Sequence, residues 1–346
     1  MATKTCFVAA TDTDAGKTYI SSMLLQGFNA LDIPAVGVKP IAAGTNGEGL
    51  NGDALLLQRH SGIALPYEVV NPICYQAPVA PHLAAVNEQQ PIDETQLNQA
   101  LAAWQQLQEQ VPALQSSSQS LAAVAGYSIG ELTAHAVAGS VQALESVGLA
   151  VKRARCMDQA APPAHGMMAV KGIRLEKLHA IAQEHGLAVA IVNDEQHGVL
   201  AGPTAVMKAI CKGMERELGA HVVHLNVQVP SHTPWLIDAT VAYRRTLESA
   251  SWAPFDCPVL SALDGSPVES SAGAIDCLAR QISEPLQWAR TLDLAQEMGA
   301  TVYFETGPGN SLTRMVRERF SNVQARSLSE FQSFDGALSW LRSQTS

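Results

Sequence analysis

Charged residues are scarce in this sequence, at 16% of its 346 residues, against roughly 25% in an average globular protein. The hydrophobic fraction is 47%, so the chain can bury a large core, which excludes disorder over most of its length. Positive charge is scarcest: the net charge of −10 argues against nucleic acid as a partner. Anionic small molecules remain candidates, but only at locally positive sites.

Long apolar runs and closely spaced cysteines are also absent. No run approaches the roughly 18 residues of a membrane span, and the N-terminus lacks the order of a signal peptide, so we expect no membrane partner. No two cysteines form a C-x-x-C pair, which argues against zinc sites and a disulfide framework and predicts a cytoplasmic protein. The cysteines are Cys6, Cys74, Cys156, Cys211, Cys257 and Cys277.

Strand-like and helix-like segments alternate along the chain, as is typical of an α/β protein. In the first part, the pattern predicts strands over 5–10 and 35–41, a helix from Thr18 to about Ala30 and another over 92–110. A buried strand, 121–125, then runs into a glycine turn and a helix that opens at Glu131.

A compact strand and helix order in the middle of the chain predicts a small inserted subdomain. Its βαββαβ order is that of the split ferredoxin-like unit. The predicted elements are strand 167–171, helix 174–185, strands 187–193 and 198–201, helix 204–218 and strand 221–227. The chain then returns to strand and helix from Pro258 onward.

The turn Gly126-Tyr127-Ser128-Ile129-Gly130 matches G-x-S-x-G between a predicted strand and a predicted helix. This context is typical of a nucleophile turn, in which the glycines allow a sharp reversal that exposes the serine hydroxyl. The following helix N-terminus favours developing negative charge, so the amide of Ile129 is a candidate oxyanion donor. The alternative is an ordinary serine turn flanked by glycines.

A nucleophilic serine needs a base, and ten histidines are candidates. His232 lies in a loop framed by Pro230 and Pro234, just after the predicted subdomain ends, and is the favoured candidate. His135 is better explained as a residue on a helix face.

An acyl group that carries a free carboxylate also needs a cation. Arg153 and Arg155 lie close together in the sequence, and an arginine fork binds a carboxylate through two hydrogen bonds. An exposed charged helix face is the alternative explanation for this basic segment.

These segments together resemble the malonyl-CoA:acyl carrier protein transacylases. The serine turn with Glu131 resembles the family's GHSxGE turn, 153–162 resembles its arginine segment, and 229–232 resembles the segment of its catalytic histidine. Residues 279–288 resemble its late glutamine segment, and 305–309 its closing strand and turn. The resemblance runs from about 98 to 340, and Tyr127 with Cys156-Met157-Asp158 is most similar to the epsilon subunit of malonate decarboxylase.

The resemblance implies a role for each matched residue. Ser128 would carry the malonyl group with His232 as base, and the Ile129 amide would hold the oxyanion. Gln281 would accept the histidine N–H through its side-chain carbonyl, and Arg153 would bind the malonyl carboxylate. Malonyl-CoA and an acyl carrier protein would be the partners, with no cofactor required. The family's Phe-Pro-Gly-Gln-Gly loop, which supplies a second oxyanion contact, has no counterpart here; one lost donor typically costs about 10²–10³ in rate.

A second motif lies at the front of the chain. Residues 10–18 match a phosphate-binding loop whose first glycine is replaced by Ala10, and they include Asp14, Gly16, Lys17 and Thr18. In such a loop, backbone amides and the lysine bind phosphates, and the threonine hydroxyl binds magnesium. A chance Gly-Lys-Thr at a helix start is the alternative.

The surrounding residues resemble dethiobiotin synthetase over about residues 4–100. The matching segments are 38–44, 52–54, 70–72 and 80–82. The resemblance implies that Lys17 and Lys39 act on ATP and a carbamate substrate, and that Thr18 and Asp53 bind Mg²⁺. The family's next strand and Glu-Gly-Ala-Gly-Gly loop, which holds a further metal ligand, are missing, and so is its nucleotide-base pocket.

The chain therefore resembles two families, each over only part of the family's length, and the two matches meet near 98–104. We predict an α/β fold with a mainly parallel sheet and helices on both faces, since both families have one, with an inserted ferredoxin-like βαββαβ subdomain. The predicted parts are a phosphate-loop segment (1–100), an acyltransferase core (101–165 and 228–346) and the subdomain (166–227). Malonyl transfer is the favoured function; the alternatives are ATP-dependent dethiobiotin synthesis, or a binding protein in which neither site turns over.

Overall fold

Short parallel strand pairs and one larger, mostly antiparallel sheet, with helices between them, make up the described part of the protein, and the predicted α/β fold is confirmed. The computed structural model describes residues 17–30, 35–78, 84–85, 88–90, 122–306, 309–332 and 334–344. The helices are α1 (Lys17–Ala30), α2 (Gly52–His60), α3 (Tyr67–Val70), α4 (Gly130–Val137), α5 (Ala143–Ala160), α6 (Leu175–Glu184), α7 (Thr204–Leu218), α8 (Ile237–Glu248), α9 (Ser271–Arg280), α10 (Trp288–Glu297), α11 (Ser311–Arg319) and α12 (Phe334–Gln344). The strands are β1 (Ile41–Ala43), β2 (Ile73–Tyr75), β3 (Val124–Ala125), β4 (His165–Lys171), β5 (Ala188–Asp194), β6 (His197–Pro203), β7 (His221–His224), β8 (Val259–Leu260), β9 (Pro267–Val268), β10 (Leu286–Gln287), β11 (Val302–Glu305) and β12 (Gln324–Ser327).

The inserted unit has the predicted ferredoxin-like topology. Its strands lie in the order β7-β4-β6-β5, and every neighbouring pair among these four is antiparallel. A core that includes Met168, Leu178, Leu200 and Met207 joins the sheet to α6 and α7. The last strand ends at His224, earlier than the predicted residue 227, because the ladder to β4 ends there.

Residues that follow the inserted unit in the chain contact its sheet directly. The short strand β10 adds to its edge in parallel with β5. Behind the sheet, Ile191 and Val199 pack with Leu286, Trp288 and Leu292 in one apolar cluster. The inserted unit therefore shares both a sheet and a core with the part that follows it.

The remaining strand pairs are parallel over β1–β2, β3–β8 and β11–β12, and β9 adds to β8 in the antiparallel sense. In the described part of the chain, these pairs are separate small sheets. The pair β3–β8 positions the site, because the serine turn follows β3 directly.

At the front of the chain, α1 matches the predicted helix. The strand predicted over 35–41 begins only at Ile41, because Pro40 has no N–H with which to extend the ladder. Met23 of α1 packs against Leu328, Phe331 and Ala337 near the C-terminus. The strand predicted over 5–10 and the helix predicted over 92–110 lie outside the described residues. Among the helices that are described, none is long and apolar enough to cross a membrane.

Candidate active site

The serine turn joins β3 to α4 and holds a strained backbone. Ser128 has a φ of 54°, in the left-handed region that non-glycine residues rarely occupy. A Cβ added at Gly126 would overlap the carbonyl group of Gly130, so only glycine fits there. The predicted sharp turn is present, and strain of this kind collects at functional sites.

The two glycines of this turn give a matched pair of tests. We expect Gly126→Ala to destabilise the protein by about 3 kcal/mol and to disrupt the serine turn, because the new methyl group has no room. A Cβ at Gly130 would meet no atom within 4 Å, so Gly130→Ala is the control and should keep the melting temperature nearly unchanged. Equal melting temperatures for the two variants, measured by differential scanning calorimetry, would contradict this account of the turn.

Ser128 and His232 lie in contact although 104 positions separate them. The Ser128 Oγ is 2.8 Å from the His232 Nε2. His232 is only 1% exposed, and its own amide donates to the carbonyl of Ile282 at 2.8 Å. The structure thus brings the favoured histidine to the serine. His135 is instead buried in the core, with its Nδ1 at 3.1 Å from the Ser140 Oγ, and burial lowers its pKa to about 4.

The other nitrogen of His232 corrects one prediction. The His232 Nδ1 contacts the main-chain carbonyl of Gln281, whereas the sequence predicted the side-chain carbonyl. The Gln281 Oε1 is instead buried without a hydrogen-bond partner among the described residues. A carbonyl oxygen only accepts, so Nδ1 carries the proton and Nε2 is free to accept one from Ser128.

Burial sets the protonation state of this pair. It lowers the pKa of His232 to about 3, and the positive charge of Arg153 adds to the effect. The ring is therefore neutral near pH 7, which is the state that a general base needs.

Ile129 precedes α4, and its amide donates no main-chain hydrogen bond among the described residues, which leaves it available to an oxyanion.

Arg153 is buried beside this pair, whereas Arg155 on the same helix is exposed. The Arg153 Nη2 has no hydrogen-bond partner among the described residues. Nearby, Glu131 is fully buried, and burial raises its pKa to about 8 although the Ala262 amide and Arg153 act against it. At pH 7 Glu131 is therefore mostly uncharged and does not neutralise the Arg153 charge.

Sequence reasoning assigned no role to several residues that the structure places around the site. The Tyr127 hydroxyl donates to the Asn193 Oδ1 at 3.0 Å, which ties the serine turn to the end of β5. Glu131 accepts the Ala262 amide at 2.8 Å, and Tyr243 of α8 is fully buried. The Glu131 position was part of the matched turn, but nothing in the sequence indicated the hydrogen bonds of Tyr127 and Glu131 or the burial of Tyr243.

The predicted ATP-binding and magnesium-binding residues of the front segment lie only partly within the described residues. The Lys39 Nζ contacts the Asp53 Oδ2, so the two predicted ligand residues pair with each other. Asp14 and Gly16 lie outside the described residues, the Lys17 side chain is not among the described ones, and Thr18 is half-buried at the start of α1. No group of three metal-binding side chains occurs in the described ranges, so a magnesium site at Thr18 and Asp53 and an ATP site at the loop stay predictions.

The two parts of the chain are similar to different known proteins. The AAA domain family matches residues 4–113. The ATP-dependent dethiobiotin synthetase BioD of Serratia marcescens is 46% identical over 101 residues, which are 28% of this chain and 44% of that protein. The chain thus spans less than half the length of this relative.

The rest of the chain matches a second family. The malonyl CoA-acyl carrier protein transacylase of Haemophilus influenzae is 30% identical over 230 residues, 63% of this chain and 72% of that protein. The structure of the acyl-carrier-protein S-malonyltransferase from Burkholderia pseudomallei has a TM-score of 0.60 and 27% identity, and the match covers 69% of this chain and 76% of that one. The acyl transferase domain family matches residues 76–332. The chain, which carries the serine, the histidine and the buried arginine within that range, belongs to the acyl transferase domain family.

Proposed function

We propose that the protein moves a malonyl group from coenzyme A to an acyl carrier protein through an acyl-enzyme at Ser128. The observation that carries the proposal is the 2.8 Å contact between the Ser128 Oγ and the His232 Nε2. A serine becomes a nucleophile when a neighbouring base accepts its proton. The Haemophilus influenzae relative is itself a malonyl CoA-acyl carrier protein transacylase.

The proposed reaction has two steps, acylation of Ser128 and transfer of the acyl group to the carrier protein. The Ser128 Oγ attacks the thioester carbonyl carbon while the His232 Nε2 takes the hydroxyl proton, and the Ile129 amide stabilises the oxyanion. The carbon–sulfur bond then breaks, and the coenzyme A sulfur leaves with the proton from His232. In the second step, the carrier's phosphopantetheine thiol gives its proton to His232 and attacks the serine ester, and Ser128 recovers its proton as it leaves.

Gln281 and Arg153 support these steps without changing covalently. The Gln281 carbonyl accepts the Nδ1–H, which fixes the ring orientation and stabilises the imidazolium that forms. Arg153 is buried, and its Nη2 has no partner in the described part of the chain, so it offers a charged, desolvated partner to the free carboxylate of a malonyl group. The narrower assignment to a malonate decarboxylase complex stays a prediction from Tyr127 and 156–158.

Intact-protein mass spectrometry tests the proposal directly. After incubation with malonyl-CoA, the protein should carry one malonyl group, and the label should leave when a carrier protein with phosphopantetheine is added. The same carrier without phosphopantetheine is the control and should leave the label in place. A protein that stays unmodified would end the proposal and favour the alternative in which the site is silent.

The pH dependence of malonyl transfer should report on Glu131. Its pKa is raised to about 8, so above pH 8 it ionises in the free enzyme and competes with the malonyl carboxylate for Arg153. We expect kcat/KM for malonyl-CoA to fall by up to about tenfold per pH unit above pH 8, whereas kcat/KM for acetyl-CoA should lack this fall.

Glu131→Gln is the matched variant, since glutamine still accepts the Ala262 amide but cannot ionise. It should remove the alkaline fall from the malonyl-CoA profile. An identical alkaline limb in both proteins, or for both donors, would show that Glu131 does not control the site.

Dethiobiotin synthesis stays a prediction as the alternative function. Its support is the similarity of the front segment, which covers 44% of the Serratia marcescens relative. ATP hydrolysis with diaminopelargonic acid and bicarbonate, lost in Lys17→Ala, would support it.

A further inference from the structure

Three buried polar atoms on packed helices have no hydrogen-bond partner among the described residues. They are the Arg153 Nη2 on α5, the Tyr243 Oη on α8 and the Glu131 Oε1 on α4. Tyr243 and Glu131 are 0% exposed and Arg153 is 7% exposed. Leaving one such group unpaired costs about 1–3 kcal/mol, so three in one region indicate a place built for something that binds there.

The Arg153 and Tyr243 side chains are near each other but do not pair. Burial raises the pKa of Tyr243, and the positive charge of Arg153 lowers it. Burial lowers the pKa of Arg153, and the nearby Tyr243 raises it. Helices α5 and α8 pack closely, and the neighbouring side chains, such as Met157, Leu236 and Leu278, are apolar. The two unpaired donors are therefore close together, on packed helices and among apolar side chains.

We propose that Tyr243 is a second ligand for the free carboxylate of the acyl group and determines specificity together with Arg153. The hydroxyl would donate to one carboxylate oxygen while the guanidinium donates to the other. This inference rests on the proposed function, and it names a residue outside the motifs of the sequence. A carboxylate satisfies both buried donors at once, whereas an acetyl group leaves both unpaired, and sites of this kind discriminate strongly.

Tyr243→Phe tests the assignment, because it removes only the hydroxyl and keeps the ring. We expect kcat/KM for malonyl-CoA to fall about tenfold, with kcat/KM for acetyl-CoA within about twofold of the wild type. The melting temperature of the free protein should stay the same or rise, since a buried unpaired hydroxyl is lost. A merely structural role would lower stability and reduce the rate with both donors alike.

Tyr303→Phe is the matched control. The Tyr303 hydroxyl is also buried without a partner among the described residues, but Tyr303 packs in a different apolar cluster, stacked on Phe320. This variant should leave the ratio of malonyl to acetyl transfer unchanged.

A binding measurement gives a readout besides activity. Free malonate should raise the melting temperature of the wild type, acetate should not, and the malonate effect should shrink in Tyr243→Phe. If the wild type forms the malonyl-enzyme and Arg153→Ala loses selectivity, but Tyr243→Phe keeps both its selectivity and its malonate response, the role of Tyr243 is overturned and the proposed function stands. If the wild type forms no malonyl-enzyme, the proposed function itself has failed.

Discussion

Replacement of Ser128 by alanine is expected to lower malonyl transfer by about 10⁴-fold or more and to leave no malonyl-enzyme. The reason is that the His232 ring has no other hydroxyl placed at its Nε2 in the described structure, so no group remains to form the ester. Reactions quenched at set times give the rate of malonyl transfer, and intact-protein mass spectrometry gives the amount of malonyl-enzyme. The melting temperature should change little, because alanine has the same left-handed backbone strain that Ser128 bears.

Ser231→Ala is the control for this variant, since Ser231 adjoins His232 in the same loop. It should retain the malonyl label and most of the rate. A malonyl label that persists in Ser128→Ala, located by peptide mapping at another residue, would contradict the assigned nucleophile.

Replacement of Arg153 by alanine is expected to lower kcat/KM for malonyl-CoA by about 10²–10³-fold. Removing one partner of a buried charge pair costs about 3–5 kcal/mol, and the malonyl carboxylate would enter an apolar pocket without its cation. Acetyl-CoA has no such carboxylate, so its kcat/KM should fall much less or rise. Competition between the two donors, with products separated by mass, measures the change in selectivity.

Arg155→Ala is the matched control, because Arg155 lies on the same helix but is exposed. We expect its selectivity to stay within about twofold of the wild type. Arg153→Lys should lie between the two, since lysine keeps the charge but loses the planar fork. Unchanged selectivity in Arg153→Ala would remove the carboxylate-binding role.

The sequence predicted the parts of the site that depend on local backbone geometry. The turn at Ser128 was predictable because a strand, two glycines and a helix occur in immediate succession. The ferredoxin-like unit was predictable because the alternation of its elements is local too. His232 was only the favoured histidine from its loop, and its role came from the family resemblance; the structure adds the contact with Ser128.

The remaining parts depend on tertiary packing. A side-chain carbonyl was predicted for Gln281 because sequence patterns identify side chains, yet the histidine contacts the main chain, which every residue type possesses. Tyr243 on α8 belongs to no motif, and its proposed role rests on a buried hydroxyl that has no partner among the described residues and lies near the Arg153 guanidinium on α5. The beginning of β1 was placed too early because Pro40 limits the ladder.

The burial of Met23 against Leu328, Phe331 and Ala337 has a thermodynamic consequence. Two stretches of chain that resemble unrelated enzymes contribute to one apolar cluster, so separating them would expose surface that neither stretch can cover by itself. We therefore expect the two stretches to unfold together. Sequence similarity divides the chain into two parts, but this cluster contains residues of both.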